Sequence, residues 1–179
     1  MGLIRNFQLA RQRKQISLSF YNIAVEQARS ERLYTSLAVP DTIDGRFDMT
    51  IIHVLLMIRW LRGQGSEGQK VSQNLLDFMF DDMDQNLREM GIGDLSVGKH
   101  VKNMAKAFYG RSQIIEDGLN QGKLSLENCL KQIIYRSNDP SKQQLSKMAE
   151  YLIQVDEGLK NLTILEVFEG NESLPFNVR

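Results

Sequence analysis

The sequence lacks the features that mark several classes of protein. It contains a single cysteine, Cys129, so no disulfide can form within the chain, as is usual in a reducing compartment. Lysine plus arginine and aspartate plus glutamate are equal at 22 each, so a general electrostatic attraction to nucleic acid or anionic lipid is not expected. Residues 1–15 are basic but have no apolar segment of the kind found in a secretory signal.

Long apolar runs and prolines are also scarce. The longest apolar stretch, residues 49–61, is interrupted by His53 and Arg59, and it falls short of the roughly twenty residues that a membrane-spanning helix needs. Only 3 prolines occur, and Pro40 and Pro140 stand where helices are expected to begin. No sustained run alternates apolar and polar residues as a half-buried strand would. These absences predict a chain that does not cross a membrane and contains no sheet.

What recurs instead is the helical period, which predicts an all-α protein. The 179 residues fit one domain, a single compact bundle of about six or seven helices. The predicted helical segments are one within residues 1–15, then about 17–37, 43–62, 69–90, 94–115, 125–134 and 140–159. The segment 43–62 is apolar nearly all round, so we expect it at the centre of the fold, and the glycine-rich residues 63–68 are expected to form a loop.

The two ends of the chain are expected to behave differently from the bundle. Residues 1–15 carry an apolar stripe that includes Phe7, flanked by Arg5, Arg11 and Arg13, with no acidic residue before Glu26. This pattern predicts an amphipathic arm at the surface that rests on lipid or on a partner. Residues 162–179 are predicted to form a tail.

An acidic cluster at Asp81, Asp82 and Asp84 has two interpretations. Clustered carboxylates suit a divalent metal, which makes a metal-dependent all-α enzyme acting on a prenyl or phosphate substrate the alternative function. Such enzymes need a second acidic cluster on a facing helix, and no other predicted helix has one. Ion pairing within the bundle is therefore favoured, with Asp84 and Arg88 pairing at the surface, and no metal or cofactor is expected.

The same helix predicts a set of buried ion pairs. On a helical wheel Asp82 and Glu89 fall toward the apolar side, where an unpaired carboxylate would be costly. We therefore expect Arg46 and Arg111 to cross to this helix and to lock three helices together.

The fifth predicted helix has two unusual features. Lys99, Lys102 and Lys106 form a basic stripe, which is either a solvated face or a surface for an acidic client or a lipid headgroup. Gly98 and Gly110 lie inside the helix, where each costs about 1 kcal/mol relative to alanine. Their presence predicts that another backbone approaches closely, either within the fold or in a partner.

The remaining reactive residue types indicate structure and not catalysis. His53 lies on the most apolar helix and is predicted to be a hydrogen-bonded core histidine. Cys129 lies on an apolar face and is expected to fill the core. No serine or cysteine stands in a recognisable nucleophile motif, so the chain is expected to bind another protein and to catalyse nothing.

Three segments in this order resemble the ubiquinol–cytochrome c chaperone family. They are VPDTIDGRFDM at 39–49 with His53 one turn on, DDMD at 81–84 followed by LREMGIGDL at 87–95, and VGKHVK at 97–102 with AFYGR at 107–111. The resemblance covers about residues 21–135. One departure is His100, where the family pattern has arginine.

The resemblance implies a helical, non-catalytic assembly chaperone. The family's mitochondrial members act in biogenesis of the ubiquinol–cytochrome c reductase complex. They bind newly made cytochrome b, work with a small partner protein and associate with the ribosome. The short chain without a targeting segment is similar to a bacterial-type member, which implies a cytoplasmic protein with peripheral contact at the inner face of the membrane and no nucleic-acid specificity.

The resemblance also carries a set of motif residues, expected to act in structure or in client binding. They are Asp41, Asp44, Arg46, Phe47, Asp48, His53, Asp81, Asp82, Asp84, Arg88, Glu89, Asp94, Lys99, Phe108, Tyr109 and Arg111.

Overall fold

The computed structural model describes residues 2–168 and Pro175, and their side chains at residues 6–167 and 175. Within these residues the chain forms eight α-helices and no strand. The all-α prediction is confirmed, with six long helices and two of five residues each. The helices are α1 (Gly2–Ala28), α2 (Glu31–Thr35), α3 (Ile43–Arg62), α4 (Gly65–Glu89), α5 (Asp94–Gln121), α6 (Lys123–Ile133), α7 (Lys142–Lys160) and α8 (Ile164–Phe168).

Helix α3 lies at the centre of the bundle, as its apolar surface predicted. It packs against α1, α4, α5 and α7, because a helix that is apolar all round must be covered on every side. The hydroxyl of Thr42 accepts a hydrogen bond from the Gly45 amide at 3.1 Å and so caps the first turn. Most of the helix is buried, including Met49, Ile51, Ile52, His53, Val54, Leu55, Leu56, Met57, Ile58, Trp60 and Leu61.

The prediction of two separate helices near the N-terminus was wrong. Helix α1 runs unbroken from Gly2 to Ala28, and the break comes only at Arg29 and Ser30. Ser17, which was expected to begin a helix, lies inside one. Its hydroxyl contacts the Arg13 carbonyl at 2.8 Å and the Val71 carbonyl of α4 at 3.0 Å, so it serves packing between helices and not capping.

Other helix starts also differ from the prediction, and α6 begins at Lys123, two residues before the predicted start at Ser125. The glycine-rich residues 63–68, expected to be a loop, include the first turn of α4. A side chain at Gly68 would meet the Leu61 carbonyl at 2.1 Å, so this glycine serves the close approach of α4 to α3. Helix α7 begins after Ser141, whose hydroxyl accepts from the Gln144 amide at 3.2 Å in a capping box, and not at the Asp139–Pro140 step.

The outer helices form a layer around α3. Helices α1 and α4 pack against each other, and α5, α6 and α7 follow as successive neighbours. The α5–α6 contact is close at Gly118, where a side chain would meet the Leu126 Cα at 3.0 Å. Among the described helices none is long and apolar enough to span a membrane.

Candidate functional site

A cleft of about 480 Å³ opens between α1, α3, α4 and α5. We call it the methionine cleft, because Met83 of α4, Met90 directly after that helix and Met104 of α5 line it. The first two of the three sequence motifs meet there, and Met104, which lies between the two parts of the third, faces them. The other lining residues are Tyr21, Val25, Arg29, Ile43, Asp44, Arg46, Phe47, Thr50, Asp82, Asn86 and Leu87.

The mouth of the methionine cleft is apolar. Ile43 is 76% exposed and Met90 is 58% exposed, although both are large apolar side chains. Exposed apolar side chains that cluster at one cleft are typical of a surface that binds another molecule.

One wall of the cleft is polar and fully hydrogen bonded. The Tyr21 hydroxyl donates to Asp82 Oδ2 at 2.7 Å, and the Asn86 amide donates to the same oxygen at 3.0 Å. Burial, and then the hydrogen bond to Asp82, raise the pKa of Tyr21 above its ordinary value, so the hydroxyl keeps its proton. This pair joins α1 to α4 along the cleft.

The predicted pairing of Arg46 and Arg111 with Asp82 and Glu89 was wrong. Arg46 instead forms a half-exposed ion pair with Asp41 at 2.6 Å, and this hydrogen bond lowers the pKa of Asp41. Asp82 and Glu89 are both exposed, and Glu89 accepts a hydrogen bond from the Gln85 amide. These carboxylates lie at the edge of α4, beside the core and not within it, so they need no buried arginine.

Arg111, the arginine of the AFYGR segment, contacts residues of α3 next to the cleft. Arg111 Nη1 lies 2.6 Å from Asp48 Oδ1, in an ion pair whose angle is not that of an aligned hydrogen bond. Arg136 contacts the other oxygen of Asp48, which is fully buried. Arg111 also lies over the Phe47 ring, 5.5 Å from its centroid, and Phe47 lines the cleft. We call Asp48, Arg111 and Arg136 the buried anchor.

The sequence prediction for His53 is confirmed. His53 is fully buried, and its Nδ1 lies 2.7 Å from the Met49 carbonyl. Because a carbonyl can only accept, Nδ1 carries the proton, and Nε2 accepts from the Tyr151 hydroxyl at 2.7 Å. Burial lowers the pKa of His53 to about 4, so the ring is neutral at pH 7.

The acidic cluster is divided among different surroundings. Asp82 belongs to the cleft wall, Asp84 pairs with Arg88 at 2.5 Å as predicted, and Asp81 is exposed. Arg88 also contacts Asp94 across the α4–α5 turn. Among the described residues, no group of three or more histidine, cysteine, aspartate or glutamate side chains is placed to hold a metal ion.

The other motif residues lie around the cleft or on α5. Asp44 is exposed and lies 3.6 Å from Arg136. Phe108 is buried against the Phe80 ring at a centroid distance of 6.2 Å, whereas Tyr109 and Lys99 are exposed. Arg136, which the motifs did not include, lies beyond the segment of resemblance, and only its basic charge close to a helix end was visible in the sequence.

Comparisons with known proteins place this arrangement in a family. The model of the ubiquinol-cytochrome C chaperone family matches residues 35–173. Ubiquinol-cytochrome c reductase complex assembly factor 1 of Mus musculus is 24% identical over 158 residues, which cover 88% of this chain and 52% of that protein. The Xenopus laevis protein of that name is 23% identical over 164 residues, covering 88% of this chain and 76% of its own length.

A solved structure agrees in fold over nearly the whole chain. The crystal structure of the Cbp3 homolog from Brucella abortus matches with a TM-score of 0.84 and 28% identity, covering 97% of this chain and 96% of that one. The chain spans about half the length of the mouse relative. Because the family model matches most of the sequence, the chain belongs to the ubiquinol–cytochrome c chaperone family.

Proposed function

We propose that this chain is a non-catalytic assembly chaperone that binds newly made cytochrome b during biogenesis of the ubiquinol–cytochrome c reductase complex. Its family and the names of its relatives support the assembly role. The methionine cleft supports the choice of an apolar client. We assign the cleft, with Ile43 and Met90 at its mouth, as the client-binding surface.

The single observation that carries the proposal is the exposed apolar mouth of the cleft. Cytochrome b is a membrane protein, so its unassembled helices present apolar side chains that must be covered outside the lipid. Ile43 and Met90 offer apolar surface in a fold whose other large apolar side chains are mostly buried. Methionine suits such a client because its flexible thioether adapts to irregular apolar partners.

The charged residues of the cleft favour a segment that leaves the membrane over one that stays inside it. Arg29, Asp44 and Asp82 line the same cleft as the methionines, so the surface offers both charged and apolar side chains. A groove of this kind fits an amphipathic helix that lays its apolar face inward. The client segment we propose is therefore the end of a cytochrome b helix together with its polar flank.

The place of action and the other partners follow the same proposal. A client that is being inserted puts the chaperone at the inner face of the membrane, in peripheral contact and on the cytoplasmic side in a bacterial-type member. A small partner protein and the ribosome are further expected partners, by the resemblance to the family. None of these contacts requires an enzymatic step.

The test is co-isolation of cytochrome b with the tagged chain from gently solubilised membranes. Ile43→Asp combined with Met90→Glu places two charges at the cleft mouth, where both side chains are already exposed, so folding should be retained. We expect at least a tenfold loss of recovered cytochrome b. Leu124→Asp is the matched control, because Leu124 is 77% exposed on α6 and lines no part of the cleft.

Equal recovery with the cleft variant and the control would contradict the assigned surface. Failure to recover cytochrome b with the unaltered chain, while another reductase subunit is recovered, would contradict the client. Thermal melting of both variants separates loss of binding from loss of folding.

A further inference from the structure

The outward face of α5 has a composition that the fold does not explain. Spacings of three and four residues place Leu95, Gly98, Lys102, Lys106 and Tyr109 along one side of the helix, with Lys99 beside them. All of these residues are exposed. We call this surface the α5 outer face, and it is separate from the methionine cleft, which Met104 of the same helix lines from the opposite side.

The lysines of this face have no counter-charge among the described residues. From residue 95 to residue 115 the sequence has no aspartate or glutamate. In the part of the chain that the structure describes, none of Lys99, Lys102 and Lys106 forms an ion pair, whereas the acidic residues of α5, Asp94 and Glu116, pair with arginines of other helices. The three ammonium groups therefore present positive charge to any molecule that docks there.

The glycines of α5 differ in whether another part of the chain packs against them. A side chain at Gly118 would meet the Leu126 Cα and the Cys129 sulfur, each at 3.0 Å, so this glycine admits α6. At Gly98 and Gly110 a side chain would meet no described atom within 4 Å. Two costly glycines thus lie on an exposed helix without a packing role inside the chain. They are about 18 Å apart along the helix axis and about 120° apart around it, so that only Gly98 lies on the α5 outer face.

The apolar side chains complete the pattern. Leu95 is fully exposed and Tyr109 is 59% exposed, one toward each end of the lysine row. A flat lipid surface would use the lysines and these apolar groups but would gain nothing from the absence of side chains at the glycines. A nucleic acid would be expected to meet more cations and stacked aromatic rings. A second helix uses all three features, because it can pair with the lysines, cover the exposed apolar side chains and approach closely where a glycine has no side chain.

We propose that the α5 outer face docks an acidic α-helix of a partner protein, which approaches most closely over Gly98. Carboxylates of that helix pair with Lys99, Lys102 and Lys106, and its apolar residues cover Leu95 and Tyr109. This surface is distinct from the client cleft, so both can be occupied at once. The inference does not depend on cytochrome b being the client.

The experiment places the photocrosslinker p-benzoylphenylalanine at Asn103, which is exposed between the lysines, in the full chain within its own cells. The crosslinked peptides are then identified by mass spectrometry. The control position is Gln143, exposed on α7. We expect a crosslink at Asn103 to an acidic helical segment of another protein, at least tenfold above that at Gln143. Lys99→Glu, Lys102→Glu and Lys106→Glu together should abolish it, and the corresponding arginine variant should keep it.

Substitution of the glycines should change stability and partner binding in opposite directions, which a merely structural role would not do. Gly98→Ala with Gly110→Ala should raise the melting temperature, by about 2–4 °C for each change, because alanine favours the helix and has room. The Gly98→Ala change should weaken the Asn103 crosslink at least tenfold. An unchanged crosslink would overturn the close approach. A crosslink to lipid, to RNA or to a second copy of this chain, or none above the control, would overturn the proposed partner.

Discussion

The first turns of α3 carry charged residues in two opposite environments. Asp44 and Arg46 line the methionine cleft, and Arg46 forms an ion pair with Asp41 that water and salt can screen. Asp48, one turn further along the same helix, is fully buried between Arg111 and Arg136. The motif at residues 39–49 contains both the exposed and the buried charged residues, and the sequence alone does not distinguish them.

This difference separates the parts that hold the fold from the parts that are free to bind. A buried carboxylate that loses its partners is left uncompensated, so the buried anchor fixes α3 against α5 and against the segment after α6. The pairs at the cleft contribute little to stability, so their surface can be covered by a client without loss of the fold.

Removal of the buried carboxylate should be the most costly change. Asp48→Ala leaves Arg111 and Arg136 without their shared counter-charge, and we expect the free energy of unfolding to fall by about 3–5 kcal/mol. Urea denaturation measures this change. Asp81→Ala, at an exposed position, should stay within about 0.5 kcal/mol of the parent. Equal losses in the two variants would erase the distinction between the regions.

The buried histidine should make stability depend on pH. The folded pKa of His53 is about 4, below the unfolded value near 6.5, so the unfolded chain takes up a proton first as the pH falls. The contribution of neutral His53 to the free energy of unfolding is fully present above pH 6.5. It is lost progressively as the pH falls toward 4, by at most about 3 kcal/mol. Urea denaturation across this range should show the loss in the parent.

The two histidines of the chain provide their own control. The difference in pH dependence between the parent and His53→Gln should match the loss assigned to His53. His100 is exposed, so His100→Gln is the matched control for the removal of an imidazole. If His100→Gln flattened the curve instead, the assignment to the buried ring would fail.

The polar wall of the cleft should matter less than the buried anchor. Tyr21→Phe removes the hydrogen bond to Asp82 while Asn86 still donates to that carboxylate, so we expect a loss of about 1 kcal/mol. Differential scanning calorimetry can resolve such a change. Tyr109→Phe, at an exposed ring, should have no measurable effect. A loss at Tyr21 as large as that at Asp48 would make the cleft wall part of the structural framework.

The beginning of α1 should be almost neutral for stability. Phe7 is 73% exposed, and among the described side chains the ion pair and hydrogen bond that attach α1 to α4 begin at Arg13 and Ser17. Deletion of residues 1–8 should therefore change the free energy of unfolding by less than about 0.5 kcal/mol. A larger loss would show that this end belongs to the core and is not the amphipathic arm that its sequence predicts.

The sequence predicted the fold well because apolar periodicity records burial directly. The position of α3 and the hydrogen-bonded state of His53 followed from an apolar helix that needed cover on all sides. The continuity of α1 was missed because residues 11–15 carry no apolar side chain, and only the tertiary contact of the Ser17 hydroxyl with the Val71 carbonyl shows that this part of the helix packs against α4. Local chemistry was outweighed there by packing.

The partners of the charged residues could not be predicted in the same way. A helical wheel gives the direction of Asp82 to within tens of degrees, but the neighbouring α1 and its Tyr21 decide whether that direction is core or edge. Arg136 was missed because it follows α6 at an irregular turn, where no periodicity points it toward Asp48. The cleft itself is a property of how four helices meet, and its outline is not present in any one motif.

The central claim is that the methionine cleft, and not another surface, contacts the client. The most direct test places p-benzoylphenylalanine at Ile43, and separately at Leu124, and irradiates cells while cytochrome b is being made. The account predicts a crosslink between cytochrome b and position 43, at least tenfold stronger than that from position 124. Equal crosslinking from the two positions, or a stronger crosslink from position 124, would contradict it.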